Sequence, residues 1–575
     1  MCGILCIVNF KNTDFNSSIK KAITLGNKRG PEMTKVLIKN EVQFVFHRLS
    51  INGLNNESMQ PIELLDCVLI CNGEIYNYHE LYSLLDITPN TKSDCEIIIH
   101  LYRKFGIEKT LKMIDGEFAF ILFDQSVKFC ENEDKIFFAR DLFGTRPLFI
   151  GEDPISKLIL FASEIKAINE FNLSASQIKP GTYGYLSKSL KVLSQWKFSF
   201  KQQNYFNIPY YNSSFNNINN TTINTYCNDI YNNLYNAIYN RVIGTSDRPI
   251  GCLLSGGLDS SLVAALTSQI YKQPLHTFSI GMAGSLDLKN AQIVAKHINS
   301  IHHEIILTPD EFFNAIDEVI YNIESYDTTS VRASVGNYLI SKYISQNNKA
   351  KVILNGDGSD EVTGGYIYFL NSPSDLMFDM ECRKLLDNIH CFDVLRSDRS
   401  ISSNGLEGRT PFLDKTFVLH YFSIPANLRN PRSKFNMTSN IWDNLSEKFI
   451  QEGNNEIGNF IKSRPEKLLL RYSIYLNAPN LLPPSVLWRG KEAFSDGVSG
   501  DSGSWFDIIN NKLSKYNTKN NYEYLPPTTN EQNYYRDIFA KYYSLSEKCI
   551  PYFWMPNFIE ATDSSARTLN IYTKR

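Results

Sequence analysis

Nine consecutive residues, Leu253-Leu254-Ser255-Gly256-Gly257-Leu258-Asp259-Ser260-Ser261, constrain the fold of this chain more than any other stretch. The mostly apolar run Pro249 to Leu254 predicts a buried strand, and Ser261-Leu262-Val263-Ala264-Ala265-Leu266-Thr267 predicts a helix. Two adjacent glycines between them let the backbone turn tightly and bring N–H groups against a ligand. The helix start adds unpaired donors and a positive dipole end. Strand, glycine loop and helix N-terminus together make an anion cradle, most often for phosphate. A carboxylate at Asp259 repels phosphate unless a cation sits between them, so the loop reads as a magnesium–nucleotide site. The plain alternative is a Gly-rich turn with Asp and Ser as caps.

From Pro249 onward, strands and helices alternate, which predicts a mainly parallel sheet. A second strand is Leu275-His276-Thr277-Phe278-Ser279-Ile280, followed by a helix over 287–299. His303-Glu304-Ile305-Ile306-Leu307 is a third, with helices predicted over 310–323 and 333–344. The fourth, Lys351-Val352-Ile353-Leu354, ends in Asn355-Gly356-Asp357-Gly358-Ser359-Asp360-Glu361. Ligands of open α/β sheets gather at the C-terminal ends of strands, so this acidic loop is expected to face the first one. Asp259 and Asp360 are then expected to share Mg2+, which prefers oxygen ligands.

A chain of 575 residues exceeds what one core usually supports, and at least two domains are expected. With 58 basic and 60 acidic residues the net charge is -2, which argues against a nucleic-acid partner. No apolar run approaches the roughly 20 residues of a membrane helix. The 11 cysteines form no closely spaced even framework, as expected of reduced thiols in the cytoplasm. Without HExxH or CxxC, structural zinc is not expected, and His302-His303 reads as a strand start. Residues 201–225 are polar, Asn-rich and aperiodic, and read as a linker between domains at 2–200 and 226–570.

The chain opens Met1-Cys2-Gly3-Ile4-Leu5-Cys6-Ile7-Val8, with no basic segment of a signal peptide. If Met1 is removed, Cys2 holds a thiol and a free α-amine on one residue. The amine titrates near about 7.7–8.0, so it can act as local base for the thiol. That is a self-contained N-terminal nucleophile. Equally, Cys2 and Cys6 are small apolar residues on a first strand, and the terminus alone does not choose. Asp66-Cys67-Val68-Leu69-Ile70-Cys71 predicts a strand ending in Asn72-Gly73-Glu74-Ile75-Tyr76-Asn77. An Asn amide and a following Gly N–H suit an oxyanion hole. Arg48 suits a carboxylate, and Glu74 and Asp94 suit an ammonium group.

Met-Cys-Gly-Ile, Arg29-Gly30-Pro31, His47-Arg48-Leu49, Asn72-Gly73-Glu74-Ile75-Tyr76-Asn77 and Ser93-Asp94 together resemble a class II glutamine amidotransferase domain. The resemblance implies an N-terminal-nucleophile αββα sandwich that hydrolyses glutamine through a thioester. It makes Cys2 the nucleophile and Asn72 with Gly73 the oxyanion hole. Arg48, Glu74 and Asp94, with Asn72 and Gly73, would bind glutamine.

The second half resembles the asparagine synthetase family, whose domain is a PP-loop, adenine nucleotide α-hydrolase-like fold with a helical C-terminal part. The similarity runs through Ser255–Ser261, Phe278-Ser279-Ile280-Gly281, Glu324-Ser325-Tyr326-Asp327, Val331-Arg332-Ala333-Ser334, Gly364-Gly365-Tyr366, Pro411-Phe412-Leu413-Asp414 and Trp488-Arg489-Gly490-Lys491. The tail from Phe553-Trp554-Met555-Pro556 to Leu569 is similar to the eukaryotic form. This implies that aspartate attacks the α-phosphorus of ATP and that glutamine-derived ammonia then displaces AMP.

By motif, Ser255, Gly256, Gly257, Asp259 and Ser260 would hold pyrophosphate, and Leu253, Ile280, Asn355 and Gly356 the remainder of ATP. Lys491 would neutralise charge at the α-phosphate, and Arg332 would assist substrate or phosphate placement. Asp357 stands where the family more often has Glu, and is expected to keep a catalytic role with altered reach. Thr328-Thr329-Ser330 also departs from the family pattern. Glutamine, aspartate and ATP are the implied partners, with Mg2+ and no membrane, and a homodimer is left open. The rivals are another adenylating amidotransferase or a β-lactam synthetase-like enzyme, a PP-loop enzyme acting on transfer RNA, and a non-catalytic relative. Cys2, Asp259 and Lys491 are all present, which disfavours the last.

Overall fold

The structure, a computed structural model, describes residues 1–10, 15–125, 133–189, 195–210, 220–244, 247–492, 494–518 and 520–565. Its first strands are β1 (Gly3–Val8), β2 (Met33–Lys39), β3 (Val42–Arg48), β4 (Ile62–Leu64), β5 (Cys67–Ile75) and β6 (Gly116–Asp124). They continue with β7 (Glu133–Arg140), β8 (Phe149–Glu152), β9 (Ile159–Ala162), β10 (Ser176–Gln177), β11 (Thr182–Ser189) and β12 (Lys197–Asn204). Two antiparallel sheets result, in the orders β10-β8-β9-β1-β3-β2 and β12-β11-β7-β6-β5-β4.

Side chains alternate across each strand, and the alternation decides which layer each one fills. Ile4, Cys6 and Val8 of β1 enter the space between the sheets, where they meet Phe44, Val68, Ile70 and Phe123. Leu5 and Ile7 point the other way, to the helices Asn16–Leu25 and Ile165–Asn169. On the far side, Leu69 and Cys71 of β5 pack under the helices Tyr78–Leu85 and Ile97–Phe105. This helix–sheet–sheet–helix stack is the expected αββα sandwich.

The stretch read as a linker is regular at both ends. Strand β12 runs on to Asn204, and a helix spans Asn220–Ile243. Ile223, Cys227, Ile230, Leu234, Ile238 and Val242 recur every three or four residues and are buried, which makes it a core helix. Its intervening asparagines mask that stripe in the sequence. Residues 211–219, the most Asn-rich part, lie outside the described residues, as does the tail from 566 onward.

The second domain adds β13 (Ile250–Leu253), β14 (His276–Gly281), β15 (Ile301–Ile306), β16 (Val352–Leu354) and β17 (Glu407–Arg409). All pair in parallel in the order β15-β14-β13-β16-β17, with Cys252 beside Thr277 on one side and Leu354 on the other. Chain order reverses at β13, so the loops after β13 and β16 face each other at a topological switch point. Helices dominate from Asp375 to Tyr543.

Several helix boundaries differ from expectation. The helix after β13 spans Leu258–Ile270, because the extended backbone of Gly257 (φ -74, ψ 162) caps it and starts it at Leu258, three residues before Ser261. Asp259 and Ser260 therefore belong to its first turn. The helix expected over 310–323 is two, Pro309–Asn314 and Ile316–Ile323. That over 333–344 is longer, Thr328–Asn347, because Asp327 accepts the Ser330 N–H at 2.8 Å and starts it earlier.

Candidate active sites

Cys2 immediately precedes β1, and its even position puts its side chain on the same face as Ile4 and Cys6, between the sheets. On β5, Val68 and Ile70 face the same space, so Asn72 and Glu74 do as well. The Cys2 thiol lies 3.5 Å from the Leu49 carbonyl and, through burial above all, is pushed up to about 12. Met1 is part of that burial. Its amine donates to the Leu406 carbonyl at 2.9 Å, and burial lowers it to about 5. With Met1 in place, Cys2 has no α-amine of its own.

Asn72 is 1% exposed, yet neither side-chain polar atom has a hydrogen-bond partner among the described residues. An unpaired buried amide is unfavourable unless a ligand satisfies it. On the edge of β5 beyond β4, Cys71 N–H donates to Gln60 Oε1 at 2.6 Å and Ile75 N–H to Asp94 Oδ2 at 2.7 Å. Alternation puts the Gly73 N–H on that same edge, between them. Asn72 and Gly73 thus offer donors on the strand that faces Cys2 across the sandwich.

Glu74 accepts Asn52 Nδ2 at 2.7 Å and lies 3.4 Å from Arg409, which belongs to β17 of the other domain. Burial, then the carboxylates of Asp94 and Glu407, push Glu74 well above the usual carboxylate range. Burial likewise pushes Asp94 up to about 6. Arg48 is turned inward, donating to the carbonyls of Asn55 at 2.9 Å and of Gly53.

The second site is a cavity of about 180 Å³ at the switch point of the parallel sheet, lined by Leu253, Ser255, Gly257, Asp259, Ser260, Ile280, Asn355, Gly356, Asp357, Asp360 and Lys491 among others. Gly256, at φ 72°, supports the turn from behind. A side chain there would meet the Ala291 backbone at 2.4 Å, and its carbonyl accepts Arg489 at 3.0 Å. Gly356 lets the two loops touch, since a Cβ would lie 2.8 Å from Asp259 Cβ. Ser255 and Ser260 hydroxyls pair at 3.0 Å and hold the loop closed on itself.

Asp259 and Asp360 do come together, but two lysines lie between them. Lys467 Nζ is 2.6 Å from both oxygens of Asp259 and from Asp360 Oδ1. Lys491 Nζ is 2.5 Å from Asp360 Oδ2 and 3.7 Å from Asp259. Although burial opposes ionisation, Lys467 and Lys491 hold the Asp360 carboxyl well below the usual range. In turn, burial works against the Lys491 ammonium and the two acids outweigh it, pushing it above its ordinary value.

Deeper in the cavity, Asp357 Oδ1 pairs with Arg396 at 2.8 Å, and Arg396 reaches Asp393 at 3.2 Å. The Tyr366 hydroxyl lies 2.5 Å from Glu361 Oε1 and 2.7 Å from Asp393 Oδ2, and donates its single proton to one of the two. Burial, then Asp393, pushes Glu361 well up, whereas Arg396 helps hold Asp393 down. Thr329 lines the cavity with a buried hydroxyl that has no partner among the described residues.

Arg332 corrects the sequence reading. It bonds Glu531 at 2.8 Å and Asp563 at 2.7 Å, which fastens the helix Thr328–Asn347 to the C-terminal segment. Its neighbours Thr329 and Ala333 line the cavity, and Arg332 does not. Sequence reasoning missed Lys467, Arg396 and Asp393. Lys467 precedes the helix Leu468–Asn477 at φ 58°, and nothing local distinguishes it from a solvated lysine.

A family model described as asparagine synthase matches residues 229–380 and 371–548, and one described as a glutamine amidotransferase domain matches residues 1–208. The asparagine synthetase (glutamine-hydrolyzing) of Gallus gallus is 39% identical over 556 residues, covering 92% of this chain and 91% of its own. Its counterparts in Homo sapiens and Bos taurus are each 38% identical, with the same coverage.

Proposed function

The chain belongs to the asparagine synthase family, and from that premise we propose how its two sites divide one synthesis. The enzyme makes L-asparagine from L-aspartate with glutamine as nitrogen donor and ATP as co-substrate. At the first site, Cys2 Sγ attacks the glutamine side-chain carbon once Met1 is gone. The oxyanion is met by Asn72 Nδ2 and the Gly73 N–H, ammonia leaves, and water releases glutamate from the thioester. Glu74 and Asp94 receive the glutamine α-ammonium, a cation for which their own surroundings hold too little charge.

At the second site, an aspartate β-carboxylate oxygen attacks the α-phosphorus, and the bond to pyrophosphate breaks. Ammonia then attacks the activated carbonyl carbon, and AMP leaves with the C–O electron pair. The observation that carries this assignment is the pair Lys467 and Lys491, held by Asp259 and Asp360 over the Ser255–Ser260 loop. Incoming phosphates compete for those ammonium groups, and Lys491 then follows charge on the α-phosphate. Arg396 and Thr329 suit the aspartate α-carboxylate, with Asp393 and Asp357 for its α-ammonium.

Mg2+ fits the donor set on one condition. Asp259 and Asp360 supply hard oxygens, all taken up by ammonium groups here, so the lysines must turn to the phosphates before either acid holds the ion. When bound, Mg2+ would screen the phosphate charge. We draw the domain boundary between Asn204 and Asn220, and assign the chain to the cytoplasm on its free cysteines.

The test is stoichiometry. With glutamine, ATP, Mg2+ and aspartate, asparagine, AMP and pyrophosphate should form in equal amounts. ADP and orthophosphate instead would remove the α-phosphorus assignment.

A further inference from the structure

Between Cys2 and Glu74 runs the segment 49–53, which is tied down at Leu49, Ser50, Asn52 and Gly53. The Leu49 carbonyl faces the Cys2 thiol at 3.5 Å, and Asn52 Nδ2 donates to Glu74 at 2.7 Å. Two further ties come from residues almost 200 positions later in the chain. Asp247 Oδ2 accepts the Gly53 N–H at 2.9 Å. Arg248 Nε donates to the Ser50 carbonyl at 2.8 Å, and its Nη2 bonds Glu32 at 2.6 Å. Glu32 closes the ring by accepting the Ser50 N–H at 2.9 Å.

Asp247 and Arg248 lie just before β13, the central strand of the parallel sheet, whose other end is the Ser255–Ser260 loop. They thus belong to the nucleotide-binding domain by chain position and to the glutaminase wall by contact. Beside them is an open cavity of about 550 Å³, lined by Asn52, Gly53, Lys92, Ser93 and Asp247. Its lining residues Ser93 and Asn52 lead to the glutamine groups, Ser93 as the chain neighbour of Asp94 and Asn52 through its hydrogen bond to Glu74.

We propose that Asp247 and Arg248 are positioning residues of the glutamine pocket, fixing the 49–53 wall from the opposite domain. The glutaminase site is then complete only when the parallel-sheet domain is docked on it. A carboxylate acceptor on a backbone N–H is a charge-assisted hydrogen bond, and the Arg248–Glu32 clamp adds a second. Together they hold Asn52 where it orients Glu74, so loosening them weakens glutamine capture before it touches the thiol chemistry. This inference rests on the Cys2 site being a glutaminase.

The experiment uses the full chain with Asp247→Ala, Arg248→Ala and Asp247→Asn. Glutamine KM should rise about tenfold or more in the two alanine variants, with limiting kcat within threefold. Asp247→Asn keeps an acceptor oxygen and should recover most of the loss. Ammonia-dependent asparagine synthesis should stay within twofold of the parent. An electrophilic glutamine analogue, followed by intact mass, should label Cys2 at the same limiting rate but need a higher concentration. Unchanged glutamine KM in both alanine variants overturns the proposal. So does a parallel fall of glutamine- and ammonia-dependent rates, which would mean a merely structural role. Failure of the underlying reading looks different: Cys2→Ala would still turn over glutamine, whatever happens at 247 and 248.

Discussion

Both candidate sites gather buried carboxylates, and Glu74 and Asp94 of the first are treated in the opposite way from Asp360 of the second, where burial still raises Asp357 and Glu361. Around Cys2, burial first and then neighbouring carboxylates, Asp94 and Glu407 for Glu74 and Glu407 for Asp94, drive Glu74 and Asp94 up, and Arg409 only partly offsets them. At the sheet's switch point, Lys467 and Lys491 outweigh the same burial and hold Asp360 down. A pocket short of positive charge takes up a cation, and glutamine carries one on its α-carbon. A pocket with two ammonium groups held in reserve receives an anion, and ATP brings one. On the proposed function, the sign of the missing charge is what separates the pocket assigned to an amino acid from the one assigned to a nucleotide.

Breaking the reserve should have the largest effect. Lys491→Ala should lower aspartate-dependent pyrophosphate release by about 10²–10³-fold while glutaminase activity persists. Lys467→Ala leaves Asp259 and Asp360 with Lys491 as the one ammonium group between them, and should also destabilise the fold by about 3–5 kcal/mol, readable by denaturant titration. Next comes Cys2→Ala, which should abolish glutamine use and leave ammonia-dependent synthesis; if ammonia fails to rescue it, the two sites are not separate. Asp357→Ala should stop adenylation without affecting glutamine hydrolysis, and full retention of synthesis would remove Asp357 from the mechanism.

The contrast in carboxyl ionisation should also appear in pH profiles. Binding the glutamine α-ammonium needs ionised acids. Because Asp94 titrates near about 6 and Glu74 is raised too, kcat/KM for glutamine should fall as pH drops through that range. Aspartate-dependent ATP–pyrophosphate exchange should fall less there, since Asp360 stays ionised far lower, although burial raises Asp357 as well. Equal losses in the two assays would erase the distinction. The smallest effect is on stability. Asp94→Asn removes a charge that burial disfavours while keeping an acceptor for the Ile75 N–H, and should stabilise the fold by about 1 kcal/mol while weakening glutamine binding.

Much of this was readable in one dimension. Apolar runs located β1, β5 and four of the five strands of the parallel sheet, β17 being missed, and the turn residues located both of its loops. Elements failed where composition misled. The helix Asn220–Ile243 was hidden because asparagine fills its exposed positions, though its apolar stripe keeps helical spacing. By motif Arg332 was expected to assist substrate or phosphate placement, yet its guanidinium is held by Glu531 and Asp563. Thr329 and Ala333 took the cavity face, and Arg332 took the face toward Glu531.

What the sequence determined by itself was local: the strand–Gly-Gly–helix turn, the acidic loop after the fourth strand, the thiol at the terminus and the Asn-Gly donors on β5. Only the tertiary structure decided the partners. Lys467 meets Asp259 across 208 positions and Gly53 meets Asp247 across 194. Periodicity records which face a residue occupies and nothing about which distant charge will stand opposite. That choice follows from strand order, which brings β16 beside β13 and β17 beside β16 and carries their ends to both sites at once.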